Sequence, residues 1–506
     1  MRTDLPQTVR TITEVLHRKG ARAMLVGGAV RDMLMEKAVK DYDIEVYGLK
    51  TLEALEAVLS SFGSVNQVGK SFGIVKLRVG EEEYDFSFPR TEQKTGKGHR
   101  GFDVTVDGTL SFKAAAKRRD FTINAMGYDI ISGEVLDPYG GFDDLKRGVL
   151  RHIDDATFVE DPLRVYRAVQ FAARFGFNVA QETARLCQKM VDEGMLEELP
   201  KERIFEEWRK LLLKAPKPSV GFELMREWGI TKRYYPELHA LIGCPQDPKW
   251  HPEGDVWVHT LMALDAMQGE LKIKNEKLKI SDKQKLKLLF AVLCHDFGKP
   301  LTTTIELENG EIVYWQEYNK NKSILKEMHT NTIYHSLFTI HSAKHIRAIG
   351  HEKAGIEPTR TFLYRLTNEH DFIETILPLV EHHLKPSQFY AQGAKDGAIR
   401  RLATKVNIKE LVLVATADHF GRGELKAQGA GSREYLSGKW LISRAEELEV
   451  KEKPLKPLIQ GRDLIALGMK PSPRFKEILE DIYQKQMDGL FNTKEEAIAY
   501  ITHHFC

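Results

Sequence analysis

Asp41 and Asp43 lie two residues apart in a strand-like run that continues through Ile44-Glu45-Val46-Tyr47, so their side chains leave one face of a sheet. Paired carboxylates of this kind can hold Mg²⁺ ions, which activate a hydroxyl nucleophile and stabilise a departing pyrophosphate. Just upstream, Leu25-Val-Gly-Gly-Ala-Val-Arg31-Asp32 places Gly27 and Gly28 between an apolar strand-like run, 23–26, and a helical stretch, 29–34. Such a turn lets the backbone approach a phosphate, with the first N–H groups of the helix directed at it. A Gly-Gly turn or an Asp-x-Asp pair alone is commonly structural. In this order, within one strand-turn-helix-strand unit, they are the minimum equipment for moving a nucleotide from its triphosphate.

A second chemistry is spelled out further along. His259, the adjacent pair His295-Asp296, His351, the pair His382-His383 and Asp418 concentrate in the later half of the chain. Neighbouring imidazole and carboxylate groups can both reach a divalent transition metal, with other helices supplying further ligands.

The elements that must position these groups change character near residue 150. Before it, short β-branched runs such as Gly73-Ile-Val-Lys-Leu-Arg-Val79 alternate with glycine turns, which predicts a small sheet packed with helices. After Arg151 the apolar spacing is helical almost throughout, as in Phe171-Ala-Ala-Arg-Phe175. The expected class is therefore α+β. Its divisions are a head over 1–150, a helical neck over 151–240, a second helical domain over 241–440 and a helical tail over 441–506. The turn-rich stretch 243–252 reads as a loop or boundary. With 506 residues and a net charge of +2, the chain is long enough for several cores and is not a strongly basic RNA-coating protein. RNA contacts would come from local patches, at Lys113, Lys117, Arg118 and Arg119 and along 201–217. The N-terminal stretch lacks the apolar core of a signal peptide and no run approaches a membrane span, so a cytoplasmic protein is expected. The four cysteines, Cys187, Cys244, Cys294 and Cys506, lack metal or disulfide spacing and read as reduced thiols.

Val26-Gly-Gly-Ala-Val-Arg-Asp32 with Asp41-Tyr-Asp43 resembles the first motif of the class II nucleotidyltransferases of the polymerase-beta superfamily, among them tRNA CCA-adding enzymes and bacterial poly(A) polymerases. Lys117-Arg-Arg-Asp-Phe-Thr-Ile-Asn-Ala125 is similar to their second motif, and Arg90-Thr-Glu-Gln-Lys-Thr-Gly-Lys-Gly98 to the flexible loop of the CCA-adding members. The resemblance implies that Gly28 and Arg31 hold the triphosphate, that Asp41 and Asp43 bind Mg²⁺ with Asp85 as a third carboxylate, and that Arg119 contacts sugar and phosphate. Glu160-Asp161-Pro-Leu-Arg164-Val-Tyr-Arg167 opens a helix. By itself it reads as a capping acid with an intrahelical ion pair. In the family this Asp and Arg read the base, a carboxylate accepting from the amino group of cytosine or adenine and a guanidinium donating to ring acceptors. Arg167 continues the row towards phosphate, and Gln170 stands where many relatives carry a third Arg.

His295-Asp-Phe-Gly-Lys299 resembles the HD superfamily of metal-dependent phosphohydrolases. That likeness implies His259, His295, Asp296 and Asp418 as core ligands of a divalent transition metal, with His351 and the His382-His383 pair completing the site or positioning substrate. Several bacterial CCA-adding enzymes carry such a domain, with phosphatase, 2′-nucleotidase and 2′,3′-cyclic phosphodiesterase activities. This chain adds an insertion, 302–347, whose Asn309-Gly310 predicts a hairpin and which either covers the site, changes its substrate or decorates the surface. Residues 458–471 are similar to a C-terminal helical motif of CCA-adding enzymes, with Ser472 and Lys476 at positions where relatives often have glycine. The expected whole is a polymerase-beta-like head followed by an all-α RNA-binding and HD body. It would add CCA to tRNA 3′ ends from CTP and ATP with Mg²⁺, with no DNA or membrane partner. The alternatives are a CC-adding, A-adding or poly(A)-polymerase relative, or an HD phosphohydrolase whose N-terminal half only binds RNA.

Overall fold

The computed structural model describes residues 5–39, 41–66, 73–94, 96, 102–278, 280–320, 343–422 and 434–505. It divides into two compact units, Met1–Ala215 with Val220–Arg233, and Pro216–Ser219 with Tyr234–Cys506.

The first unit is built on a seven-stranded sheet, ordered Ser64–Asn66, Ile74–Val79, Glu82–Ser87, Asp43–Tyr47, Arg22–Val26, Gly127–Asp129, Val135–Leu136. Arg22–Val26 is the predicted buried strand. It pairs antiparallel with Asp43–Tyr47, which pairs parallel with Glu82–Ser87 in the register Asp43↔Asp85 and Ile44↔Phe86. Leu25, Ile44, Val46 and Phe86 are wholly buried. They fix the register, because a one-residue slip would turn those apolar side chains away from the core. The helix Gly28–Leu34 follows the glycine turn as expected. Arg90–Lys94 and Phe102–Val106 form a separate antiparallel hairpin; of the loop at 90–98, residues 95, 97 and 98 lie outside the described residues. Past the sheet, Leu163–Phe175 packs on Lys201–Lys214, with Trp208 buried edge-on to Phe222.

The second unit is helical apart from a three-stranded antiparallel sheet, Ile312–Tyr314, Thr303–Leu307, Ala343–Ala348. The hairpin expected at Asn309-Gly310 joins the first two, with Gly310 at φ +84°. Residues 321–342 lie outside the described residues. Two buried helices carry the chemistry at their C-terminal ends. Asp282–Cys294 starts from a reciprocal Ser281/Gln284 cap and delivers His295; Ile408–Phe420 starts from Asn407, whose side chain accepts the Glu410 N–H, and carries Asp418. A Cβ on Gly421 would lie 2.7 Å from Ala263, so only glycine lets that helix end approach Val256–Leu278, the helix of His259. The C-terminal helices close over a small core of their own, Ile459, Leu464, Ile478, Ile482, Phe491, Ala497 and Ile501. Cys187, Cys244 and Cys294 are free and buried; burial pushes the Cys244 thiol up to about 12, which keeps it in the inert thiol form. Among the described residues no helix is long and apolar enough to cross a membrane.

Among the described glycines of the second unit, Gly298 leaves the least room for a side chain. A Cβ there would sit 1.9 Å from the His351 carbonyl oxygen and 2.6 Å from the Gly355 nitrogen. Gly298→Ala must push the His351 turn away, with an expected loss of about 1–3 kcal/mol. A thermal unfolding midpoint equal to wild type would contradict this packing.

Candidate functional site

In the first unit the glycine turn, the second strand and the segment after residue 116 meet. Gly27 has φ +68°, a conformation that side chains rarely adopt. A Cβ on it would lie 2.9 Å from Arg119 Nη1 and 3.9 Å from Asp43 Oδ2, so turn, guanidinium and carboxylate converge on one point. Asp85 stands beside Asp43 in register and pairs with Lys76 Nζ at 3.3 Å; Asp41 precedes the strand and is exposed. Burial raises the Asp43 carboxyl above its ordinary value; Arg119 opposes the rise, and the charges of Asp85, Asp41 and Glu45 add to it. Carboxylates crowded in this way favour a cation between them.

Glu45, two residues after Asp43 on the same strand face, is 1% exposed. Its Oε1 accepts Arg118 Nη2 at 2.9 Å and Arg119 Nη2 at 3.1 Å, and its Oε2 accepts the Tyr47 hydroxyl at 2.8 Å. Burial would raise this carboxyl, yet Arg119 and Arg118 hold it below the usual range. The sequence reading assigned Glu45 no role; the available signal was a charge between the apolar Ile44 and Val46. Arg31, expected at the triphosphate, is 4% exposed. It donates from Nη1 to Asn124 Oδ1 at 2.6 Å and from Nε to Asp32 Oδ1 at 2.9 Å, under the rings of Phe171 and Phe175. Its guanidinium also lies at the turn, with Nη2 3.3 Å from where a Cβ on Gly28 would stand, so Arg31 and Arg119 flank the two glycines. Arg167, to which the resemblance gives a phosphate contact, donates from Nε to Asp120 Oδ2 at 2.7 Å. Asp120 Oδ1 accepts Asn124 Nδ2 at 2.9 Å, which completes a buried relay from Arg31 to Arg167.

Asp161 caps Leu163–Phe175 by accepting the Leu163 N–H at 3.2 Å, and its other oxygen takes Arg203 at 3.1 Å. Arg164 donates to the carbonyls of Thr157 and Arg118. The second tie sets the opening of this helix against the residue preceding Arg119.

The second unit gathers the histidines. His259 Nε2 lies 3.1 Å from Asp418 Oδ1 and 3.3 Å from His295 Nε2; His295 Nε2 lies 3.2 Å from Asp296 Oδ2. On the other side of Asp296, Oδ1 is 3.3 Å from His351 Nε2, itself 3.3 Å from His383 Nε2. Two buried ligand triads result, His259/His295/Asp418 and Asp296/His351/His383. His383, rather than His382, is the inward member of its pair. Every one of the four imidazoles has Nδ1 on an acceptor: Glu253 Oε1 for His259 and the carbonyls of Val292, Ala348 and Val380 for His295, His351 and His383. That pattern fixes the tautomer and leaves each Nε2 lone pair for a metal. The site therefore fits a divalent transition metal. Lys299 Nζ, 2.6 Å from Asp296 Oδ2, and Arg422, 3.0 Å from Asp418 Oδ2, compensate the two buried acids. Burial would raise both carboxyls; His295 and Lys299 hold Asp296, and Arg422 and His259 hold Asp418, well below the ordinary range. Glu253 and Arg422 had no place in the sequence reading, and Glu253 is signalled only by following His251-Pro252.

Comparison with known proteins matches residues 23–151 to the Poly A polymerase head domain, 176–242 to the probable RNA and SrmB-binding site of polymerase A, and 259–423 to the HD domain. The Multifunctional CCA protein of Pasteurella multocida is 36% identical over 81% of this chain and 87% of its own length. The chain belongs to the multifunctional CCA protein family. The protein of that name from Pseudoalteromonas atlantica is 34% identical over 85% of this chain and 92% of its own. The crystal structure of the Bacillus stearothermophilus CCA-adding enzyme in complex with CTP shares the fold at a TM-score of 0.62, with 20% identity, over 98% of this chain and 96% of that one. In this family member the head and HD constellations are each assembled inside one of the two compact units.

The Asp120–Arg167 pair gives the head a testable acid dependence. Burial works to raise the Asp120 carboxyl, but Arg167 and Asn124 bring it below its ordinary value of 3.8. A depressed folded value means that its stabilisation is complete above the unfolded value and disappears as the pH falls through the folded one. Asp120→Ala, which leaves Arg167 without its acid, should cost about 3–5 kcal/mol at neutral pH and flatten the loss of stability on the acid side. Denaturant titrations of both proteins from pH 7 to pH 3 measure both effects, and parallel curves would refute the assignment.

Proposed function

We propose that this chain adds CCA to tRNA 3′ ends without a nucleic-acid template, from CTP and ATP, in the cytoplasm. The observation that carries the reading is the convergence of Gly27, Arg119 and the Asp43/Asp85 pair, with Asp161 and Arg164 at the opening of the next helix. The backbone at Gly27 and Gly28 receives the triphosphate, and Arg119, held over the turn by Glu45, meets the sugar and phosphates. Asp41 and Asp43, with Asp85 beside them, hold Mg²⁺, which when bound supplies hydroxyl activation and charge neutralisation of the leaving pyrophosphate. Asp161 accepts from the amino group of cytosine or adenine and Arg164 donates to the ring; uracil and guanine would present a carbonyl oxygen to the carboxylate and are rejected.

The HD cluster supports a second activity, metal-dependent hydrolysis of phosphate esters. His259, His295, Asp296, Asp418, His351 and His383 would hold the metal through Nε2 and carboxylate oxygens. Held by these residues, a metal would supply Lewis acidity for activating water and for polarising a phosphoryl oxygen.

Incubation of the protein and Mg²⁺ with tRNA ending at the discriminator base, supplied with CTP, ATP or both, should give CC with CTP alone and CCA with both. Arrest at CC, addition of A alone or an extended A tail would replace the reading with that of the corresponding relative. Asp43→Ala should lower transfer by about 100-fold or more. Asp161→Ala should relax discrimination against UTP by about 1–3 kcal/mol, read from competing CTP and UTP incorporation.

A further inference from the structure

The inserted sheet is part of the HD site. Its last strand, Ala343–Ala348, pairs along Thr303–Leu307, and the Ala348 carbonyl accepts His351 Nδ1 at 2.7 Å. The strand thereby orients one of the candidate metal ligands. Above the two ligand triads lies a cavity of about 250 Å³, somewhat below the ~300 Å³ at which pockets begin to bury drug-sized ligands. Asp296, His351, His383 and Asp418 lie at it, the strand supplies Ile346, Arg347 and Ala348, and the loop before His259 supplies Trp250.

Three cations line this cavity, and their states differ. Lys299 is held by Asp296 and Gln246, and Arg422 by Asp418. Arg347 is exposed, and among the described residues its side chain has no ion pair or hydrogen bond; its backbone pairs opposite Thr304, whose hydroxyl its carbonyl accepts. Trp250 is 57% exposed, with the Lys249 ammonium 5.5 Å from the ring centroid. A large aromatic surface and an unpartnered guanidinium on one metal-binding cavity are the two complements of a nucleotide, since a base stacks on an indole and a phosphate takes a guanidinium.

We propose that Trp250 and the insertion residue Arg347 form the specificity subsite of the HD cavity, and that its ligand is a nucleoside monophosphate group, with base on Trp250 and phosphate charge on Arg347. This rests on the hydrolase reading given above. Trp250 and Arg347 then favour phosphate esters that carry a flat ring over those that do not.

The test uses the full chain, with adenosine 2′-monophosphate as nucleotide probe and glycerol 2-phosphate as a probe without a ring. Binding is read by equilibrium titration, with and without Mn²⁺, and turnover by phosphate release. Arg347→Ala should weaken adenosine 2′-monophosphate binding and raise its KM about 10-fold, with Arg347→Lys recovering part of the loss. Trp250→Ala should weaken the nucleotide by a similar factor while glycerol 2-phosphate changes less than about twofold. Mn²⁺ affinity and the unfolding midpoint should match wild type in all variants. Nucleotide binding unchanged in both Arg347→Ala and Trp250→Ala overturns the subsite, whether or not the protein hydrolyses either ester. Absence of Mn²⁺ binding and phosphate release in the wild type overturns the hydrolase reading separately, and the binding titrations still decide the subsite.

Discussion

A carboxylate taken out of water must be met by a cation or by several donors, or its ionised form becomes costly. Both halves of this protein are organised around that requirement. Glu45 is answered by Arg118 and Arg119, Asp120 by Arg167 and Asn124, Asp296 by Lys299, and Asp418 by Arg422. These pairings fix directions as well as charge. Arg119 points over the glycine turn because Glu45 holds one end of its guanidinium, and Asp296 turns one oxygen to each triad because its neighbours on both sides are histidines. Asp43 is the contrast: its carboxyl is raised by burial and by neighbouring acids, with Arg119 working the other way. It is the acid left wanting positive charge, beside the glycine turn.

The parts of this arrangement that could be read from sequence are those carried by local spacing. The buried strand before the glycine turn, the Asp43 strand, the helix opened at Asp161 and the helix bearing His259 all follow from apolar periodicity and turn residues over a few positions. The Asn309-Gly310 hairpin came from its turn chemistry. What spacing could not supply was the direction of long side chains. Arg31 and Arg167 stand in the right motifs, but which groups their guanidiniums meet depends on Asn124 and Asp120, brought alongside by tertiary packing. The same holds for His382 and His383: both are adjacent on the chain and both are buried, and only the packing of their helix against its neighbours selects the one that meets His351. Glu45 was hidden for a different reason, since a lone acid in a strand usually marks a solvent-facing position.

The HD cluster shows how helix ends can form a rigid ligand set. His295, His351 and His383 each donate Nδ1 to the carbonyl three residues earlier, so the same backbone geometry that ends a turn also sets the ring. Close approach of the elements is left to small residues, Gly421 against Ala263 and Gly298 against the His351 turn. Larger side chains at these places would separate the ligands by about the width of a methyl group, enough to open distances that now lie near 3 Å.

The contact between Gly298 and Gly355 also brings the chain on either side of the inserted segment back to one place, and the pairing Thr303↔Ala348 seals the neck. Because the closure penalty of a loop rises by only about 0.6 kcal/mol per doubling of its length, whatever lies beyond that neck can lengthen, shorten or be exchanged with little effect on the helices beneath. The fold thus contains a natural graft point, at which ancestry or an engineer could refit the mouth of the HD cavity while leaving its floor of histidines and aspartates unaltered.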